Sequence, residues 1–181
     1  MDALIYRPTH QQQKLRLNGV LIGCTDTSTA MFADATTLGG VKITEAIVRQ
    51  MSNERLPDPA SPGLNIPQCI AVMKQVHIVM TDRTGYGPDT FRSLVSDNRK
   101  QLVQLWYSAI GGTDIGHACL VQYRELRHGQ WFDLIDDPMK TAAEWIAEDR
   151  VLAGMHEFAM RSGLTSGLRF ATSRKVPRIA V

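Results

Sequence analysis

The amino-acid sequence predicts an α+β protein in which N-terminal helices pack on a C-terminal antiparallel sheet. Helical spacing of apolar residues and helix-capping residues recur through residues 24–99. Residues 101–136 instead contain apolar runs of strand length, separated by short turns. A last amphipathic stretch, residues 141–161, predicts a long C-terminal helix. Helices followed by a run of strands are typical of folds in which helices and sheet are segregated.

The composition indicates an ordinary globular domain and excludes several functions. The chain has 181 residues, of which 44% are hydrophobic and 21% charged, enough for one domain with a core. A net charge of +2 does not indicate binding to nucleic acid or to an anionic membrane. No apolar run is long enough to span a bilayer, and the N-terminus lacks a basic segment followed by an apolar stretch. We therefore expect neither a membrane segment nor a secretory signal.

The three cysteines indicate free thiols. Their odd number argues against a disulfide framework, and this usage fits a reducing compartment. No Cys-x-x-Cys pair and no Cys/His cluster has the spacing of a zinc site, so we expect no metal and no other cofactor. Cys69 and Cys119 lie inside apolar patterns and are interpreted as core residues, whereas Cys24 stands at the start of a helix.

The first helix is expected to begin at Cys24 and to end at Gly39-Gly40. Residues 25–28, Thr-Asp-Thr-Ser, are of the types that cap a helix start. The other predicted elements are a helix from Glu45 to about Met51 after Thr44, a helix capped by Asn65 with Pro67 in its first turn, a strand at His77–Met80, a helix from Pro88 to about Arg99, a central strand over 101–110, a strand beginning at His117, and its partner over 131–136.

The chain divides into three regions on this reading. Residues 1–17 are polar and glutamine-rich and are interpreted as an N-terminal arm or edge strand. Residues 18–163 form the domain. Residues 164–181 form a tail with four basic residues and no acidic one. We expect the two ends to be held by a partner, such as a second copy of the chain.

Cys24 is the candidate nucleophile. At a helix N-terminus, the helix dipole and the unpaired N–H groups favour the thiolate, which is the reactive form of cysteine. The alternative is a small buried hydrophobic residue, which is what most free cysteines are.

A base and an orienting acid come from the predicted hairpin. His117 starts its first strand, and Asp136 and Asp137 end the second, so the topology of a hairpin brings them together. Gly116 allows a close backbone approach beside the histidine. Either acid could hold the imidazole in one tautomer, and the alternatives are a structural histidine and an Asp-Pro turn. The other four histidines have no such setting.

The chain order of these features resembles that of the papain-like cysteine peptidases. The Gly-His-Ala strand start at residues 116–118 and the Asp-Pro at 137–138 are most similar to the bacteriocin-processing peptidases and their phage and bacterial relatives. The resemblance covers roughly residues 18 to 140. It implies a papain-like fold with its site between the helices and the sheet, and it favours the acid directly before proline, Asp137, as the orienting residue.

The resemblance also implies an oxyanion donor. Papain-like enzymes carry a glutamine six residues before the cysteine, and this chain has Asn18 there, which keeps the amide with a shorter reach. Asn18-Gly19 is equally a plain turn signal. The chain departs from the family pattern a second time, because no tryptophan follows Cys24.

Two hypotheses for function follow. The first is a thiol hydrolase that cleaves peptide or amide bonds through an acyl-enzyme, with a peptide or the peptide cross-links of a bacterial wall as substrate. The relatives suggest a tailed-phage protein, made in the host cytoplasm and carried in the virion. The second is a catalytically silent virion protein of the tail or the head–tail joint, which assembles with its own copies or other subunits through its termini. Nucleic-acid binding by the tail is not expected, since its basic residues lack interleaved aromatic ones.

Overall fold

The structure is a computed structural model that describes residues 10–14, 16–17, 20–21, 23–53, 63–96, 101–108 and 116–174. Its elements are, in chain order, β1 (Arg16–Leu17), β2 (Val20–Leu21), α1 (Cys24–Thr36), α2 (Glu45–Asn53), α3 (Ile66–Gln75), β3 (Thr81–Asp82), α4 (Pro88–Ser96), β4 (Gln101–Ser108), β5 (Gly116–Arg127), β6 (Gln130–Asp136), β7 (Glu144–Ala147), α5 (Glu148–Arg161) and β8 (Phe170–Arg174).

A six-stranded antiparallel sheet forms the centre of the fold, in the strand order β3-β8-β4-β5-β6-β7. Strands β1 and β2 form a separate antiparallel pair. The predicted α+β class with an antiparallel sheet is confirmed. The prediction of a central strand after residue 100 is also confirmed, because β4 lies between β8 and β5.

Helices cover both faces of this sheet, and the strand residues alternate between two cores. One core joins α1, α2 and α3 to Ala118, Leu120 and Ala171. The other joins α4 and α5 to Cys119, Val121 and Phe170 among others. Successive residues of a strand point to opposite faces, which is why neighbouring positions of β5 divide between the two cores.

The hairpin of β5 and β6 turns at residues 128–129. His128 and Gly129 have φ of 50° and 80°, the positive values that a two-residue hairpin loop requires. Leu120 lies opposite Asp136 in the register, and a bulge interrupts the pairing between Val121 and Tyr123. The start of β5 and the end of β6 therefore lie at the same end of the hairpin.

Helix α1 is buried along its whole length, including its polar residues. It contacts β4 and β5 on one side and α2 and α3 on others, so no face is left for solvent. Because a completely enclosed helix needs no polar stripe, its apolar periodicity is weak. It ends at Thr36, earlier than predicted, and the chain reverses through Leu38 and Gly39, whose φ values are 51° and 84°.

The predicted caps of the next two helices are confirmed. The Asn65 side chain accepts a hydrogen bond from the Gln68 N–H at 3.0 Å, and the Gln68 side chain accepts from the Asn65 N–H at 2.8 Å. Pro67 lies in the first turn of α3. At the start of α2, the Ile47 N–H donates to the Thr44 hydroxyl at 3.4 Å.

Two predicted elements are wrong. Residues 78–80 are not a strand, because His77 has a φ of 59° and the ladder forms only at β3, opposite β8. The predicted helix over 141–161 begins at Glu148, since the preceding four residues pair with β6 as strand β7. Trp145 and Ile146 fit the apolar spacing of a helix as well as that of a strand. Their pairing with β6 at the edge of the sheet makes this segment a strand.

The two ends of the described chain contribute to the fold. Strand β8, residues 170–174 of the predicted tail, lies between β3 and β4 within the sheet. Near the N-terminus, the Gln13 N–H donates to the Pro138 carbonyl at 2.9 Å, so residues 10–14 pack beside the end of β6. No helix in the described part of the chain has the length and apolar character that a membrane span needs.

Candidate active site

A buried imidazole–carboxylate pair lies at the end of the β5–β6 hairpin. His117 Nε2 is 2.6 Å from Asp137 Oδ1, and both residues are buried. The Met139 N–H donates to the same oxygen at 2.7 Å, which fixes the carboxylate just past the end of β6. With Nε2 engaged by Asp137, Nδ1 is the second ring nitrogen at which hydrogen can be exchanged.

Cys24 is the first residue of α1 and contacts this imidazole through its thiol. Gly23 occupies the N-cap position and supplies no side-chain oxygen to the first turn. Its carbonyl accepts the first helical hydrogen bond, from the Thr27 N–H at 2.8 Å. The sulfur therefore lies at the positive end of the helix dipole, where negative charge is stabilised. Cys24 is 8% exposed, whereas Cys69 and Cys119 are completely buried.

The surroundings of His117 favour its charged form. Burial by itself would lower the pKa of His117, but the adjacent Cys119 sulfur and hydrogen bonds with Asp137, Cys119 and Cys24 raise it well above its ordinary value. These contacts favour the imidazolium over the neutral imidazole. An imidazolium beside a thiol at a helix N-terminus favours the thiolate of that thiol.

Cys119 is a second thiol at the same imidazole, a contact that the sequence pattern does not predict. One ligand atom each from His117, Cys119 and Asp137 lies within 4.8 Å of the other two. Cys119 is buried among apolar residues, as its sequence pattern predicts. Its position two residues after His117, on the same face of a strand, was the available signal.

Cys69 has the properties of an inert thiol. It is fully buried, and its sulfur accepts a hydrogen bond from the Thr29 hydroxyl at 3.4 Å. Burial raises the pKa of Cys69 to about 12, so the thiolate is not formed near neutral pH. This residue is an internal reference for the reactivity of the other thiols.

A buried ion pair, which the sequence pattern does not predict, lies beside the start of α1. Asp26 is fully buried, and its Oδ2 accepts a hydrogen bond from Arg49 of α2 at 2.7 Å. Burial raises the pKa of Asp26 to about 6, against the opposing effect of Arg49. The Thr25 hydroxyl accepts a further hydrogen bond from the Leu64 N–H at 2.7 Å. These two contacts tie the first turn of α1, and with it Cys24, to α2 and to the segment before α3.

Asp136, the other predicted candidate for the orienting acid, pairs with a different histidine. Its Oδ1 contacts His10 Nδ1, and its Oδ2 accepts a hydrogen bond from Gln122 Nε2 at 2.5 Å. His10 Nε2 donates to the Lys140 carbonyl at 2.8 Å. The structure thus brings Cys24, His117 and Asp137 together and directs Asp136 elsewhere. Asn18 lies outside the described residues.

Comparisons with known proteins leave the family open. No known protein family and no curated protein matches the sequence. Among solved structures, the chain is similar to the crystal structure of the Pseudomonas avirulence protein AvrPphB, with 13% sequence identity and a TM-score of 0.39. The alignment covers 84% of this chain and 90% of that chain. A TM-score this low does not establish a shared fold.

Proposed function

We propose that this protein is a thiol hydrolase of the papain-like type that cleaves peptide or amide bonds with Cys24, His117 and Asp137. The supporting observation is the convergence of these three side chains, drawn from α1, β5 and the end of β6, at one end of the sheet. A nucleophile beside a base that is itself oriented by an acid is the arrangement that covalent catalysis requires.

The reaction would begin from a thiolate–imidazolium pair. Cys24 Sγ attacks the carbonyl carbon, and the proton on His117 passes to the leaving amine as the C–N bond breaks. His117 then accepts a proton from water, which attacks the thioester and releases the acid product and the free thiol. Asp137 keeps Nε2 protonated throughout, so that the other nitrogen exchanges protons with the thiol and the substrate.

The oxyanion of the tetrahedral intermediate needs N–H donors. The backbone N–H of Cys24 lies at the helix N-terminus, where such groups have no partner within the helix. We assign the second donor to the Asn18 amide, on the resemblance to the papain-like enzymes alone. A peptide or the peptide cross-links of a bacterial wall would be the substrate on the same ground.

Selective alkylation tests the proposal without knowledge of the substrate. Iodoacetamide should modify Cys24 much faster than Cys69 or Cys119, with the sites resolved by mass spectrometry of peptides. The His117→Ala variant should slow the modification of Cys24, because the imidazolium no longer stabilises its thiolate. The His156→Ala variant, which removes an exposed histidine of α5, is the matched control and should leave the rate unchanged.

Hydrolysis is then tested with labelled casein and with purified bacterial peptidoglycan, comparing the wild-type chain with Cys24→Ala. Equal and slow alkylation of all three thiols, together with no hydrolysis, would favour the silent structural protein of the second hypothesis. The bacteriophage origin stays a prediction, because neither the fold nor the site bears on it.

A further inference from the structure

We propose that His117, Cys119 and Asp137 form a binding site for a thiophilic divalent cation of the Zn²⁺ class, and that the bound cation inhibits the hydrolase. The inhibitory part rests on the proposed function, whereas the binding part does not. The site uses Cys119, which the hydrolytic mechanism leaves without a role.

The spacing of the three ligand atoms suits such an ion. Each lies within 4.8 Å of the other two. A tetrahedral Zn²⁺ with bonds of roughly 2.0–2.3 Å holds its ligand atoms roughly 3.3–3.8 Å apart. His117 Nε2 and Asp137 Oδ1, which are 2.6 Å apart, would have to separate, and the more distant atoms would have to approach, by about 1 Å or less.

The chemistry of the ligands selects the class of metal. An imidazole nitrogen, a thiolate and a carboxylate oxygen are the ligand types that bind Zn²⁺, Cd²⁺ or Co²⁺, whereas Mg²⁺ and Ca²⁺ require oxygen ligands. With neutral His117 and ionised Cys119 and Asp137, the ligands carry two negative charges, which a divalent cation neutralises. Charge balance matters here because all three residues are buried.

The surrounding structure positions the ligands before an ion binds. His117 and Cys119 occupy alternate positions of the rigid strand β5 and share one face. The Asp137 Oδ1 atom also accepts a hydrogen bond from the Met139 N–H at 2.7 Å, which fixes the position of the carboxylate. Three protein ligands leave a fourth position open for water or an incoming anion.

Binding of the cation would release protons and would prevent the imidazole from acting as an acid or a base. The cation replaces the proton shared by His117 and Asp137 and the thiol proton of Cys119, so two protons leave as one divalent ion enters. The lone pair of His117 is then bonded to the metal, and the ring no longer exchanges protons with Cys24. The chain would be inactive while the ion is bound and would recover when a chelator removes it.

Cobalt absorption tests the assignment of the thiol directly. In the Cys24→Ser/Cys69→Ser variant Cys119 is the only thiol left, because the chain has three cysteines. Addition of Co²⁺ should produce a thiolate-to-cobalt charge-transfer band with a stoichiometry of one, and Zn²⁺ should abolish it. The converse variant Cys119→Ser, shown to be folded by circular dichroism, should give no band. Absence of the band in the first variant, or its persistence in the second, would overturn the proposal.

The remaining ligands and the inhibition are tested separately. His117→Ala and Asp137→Asn should weaken Co²⁺ binding by roughly tenfold or more, whereas His156→Ala should not. In the wild-type chain Zn²⁺ should slow the alkylation of Cys24, and a chelator should restore the rate. Binding without this slowing would refute the inhibition. If Cys24 is unreactive from the start, the hydrolase proposal fails while the cobalt band still reports on the site.

Discussion

Two neighbouring carboxylates at the end of β6, Asp136 and Asp137, each bind a histidine, and the two histidines differ in their other partners. His117 Nε2 meets Asp137, and the same ring contacts the thiols of Cys24 and Cys119. His10 meets Asp136 through Nδ1 and donates through Nε2 to a backbone carbonyl. An imidazole with both nitrogens engaged by structural partners has none left for a substrate.

The comparison shows that an imidazole–carboxylate pair does not by itself indicate a catalytic site. The pair of His10 and Asp136 attaches residues 10–14 to the end of the hairpin, and the Gln12 side chain donates to the Lys140 carbonyl at 2.9 Å in support. Burial raises the pKa of Asp136, and the contacts with His10 and Gln122 oppose this rise. This balance is expected for a buried carboxylate that is held by hydrogen-bond partners. What distinguishes His117 is that its ring also contacts the thiols of Cys24 and Cys119.

The largest expected effect separates the two histidines by reactivity. His117→Ala should lower the hydrolytic rate and the alkylation rate of Cys24 by about 10²–10⁴-fold, the range for loss of a general acid–base group. His10→Ala should leave both rates within a few-fold of wild type. Rates of iodoacetamide modification and of casein hydrolysis measure the difference. Equal losses in the two variants would show that the His117 pair is structural as well.

Substitution of Asp137 should lower the hydrolytic rate more than substitution of Asp136, but by less than the loss of His117. Asp137→Asn keeps the size of the side chain, but its amide can pair with Nε2 whether or not that nitrogen carries a proton. The ring is then no longer held in one tautomer, and the imidazolium loses the negative charge that stabilises it. We expect a loss of roughly 10²-fold in hydrolysis, measured against Asp136→Asn as the matched variant. The assignment is wrong if Asp136→Asn causes the greater loss in folded protein.

A third carboxylate of β6, Asp133, sharpens the comparison because it has no histidine. It is fully buried, and in the described part of the chain neither of its oxygens has a hydrogen-bond partner. Burial raises its pKa from 3.8 to about 7, opposed by Arg124. Between these two values the folded chain binds more protons at Asp133 than the unfolded chain, so its contribution to stability falls as pH rises from about 4 to 7.

Asp133→Asn should therefore raise stability at pH 8 relative to wild type, by on the order of 2 kcal/mol, and have less effect at pH 5. Urea unfolding at the two pH values measures this difference. The exposed acid Asp89, replaced by asparagine, is the control and should show no such pH dependence. A pH-independent effect of Asp133→Asn would mean that the carboxyl keeps its ordinary pKa in the fold.

The sequence was sufficient to predict that three candidate residues, whose positions follow from local structure, lie close together. Cys24 was placed by helix-start residues, and His117 beside either Asp136 or Asp137 by the topology of one hairpin, whose turn carries its own signal at residues 128–129. The choice of Asp137 came from the resemblance to the papain-like peptidases. The fold class followed from the order of helices and strands. These features depend on short-range periodicity and turn chemistry, which a single sequence records.

What could not be predicted depends on contacts between distant segments. His10 meets Asp136 across 126 positions of the chain, and no periodicity reports such a pairing. The Cys119 contact was hidden because the same strand position serves both the core and the site. Strand β7 was missed because its apolar residues also fit a helix, and only the neighbouring strand decides between the two.

The smallest expected effect concerns the structural pair. His10→Ala leaves Asp136 buried without one of its partners, which should lower the free energy of unfolding by about 1 kcal/mol. The effect is limited because the His10 side chain is 21% exposed, so water replaces part of the lost contact. Urea unfolding at pH 7 measures the loss, and the double variant His10→Ala/Asp136→Asn should recover part of it, since a neutral amide costs less to bury unpaired than a carboxylate. No recovery would mean that His10 stabilises the fold through packing, and the contrast with His117 would then rest on the thiol contacts alone.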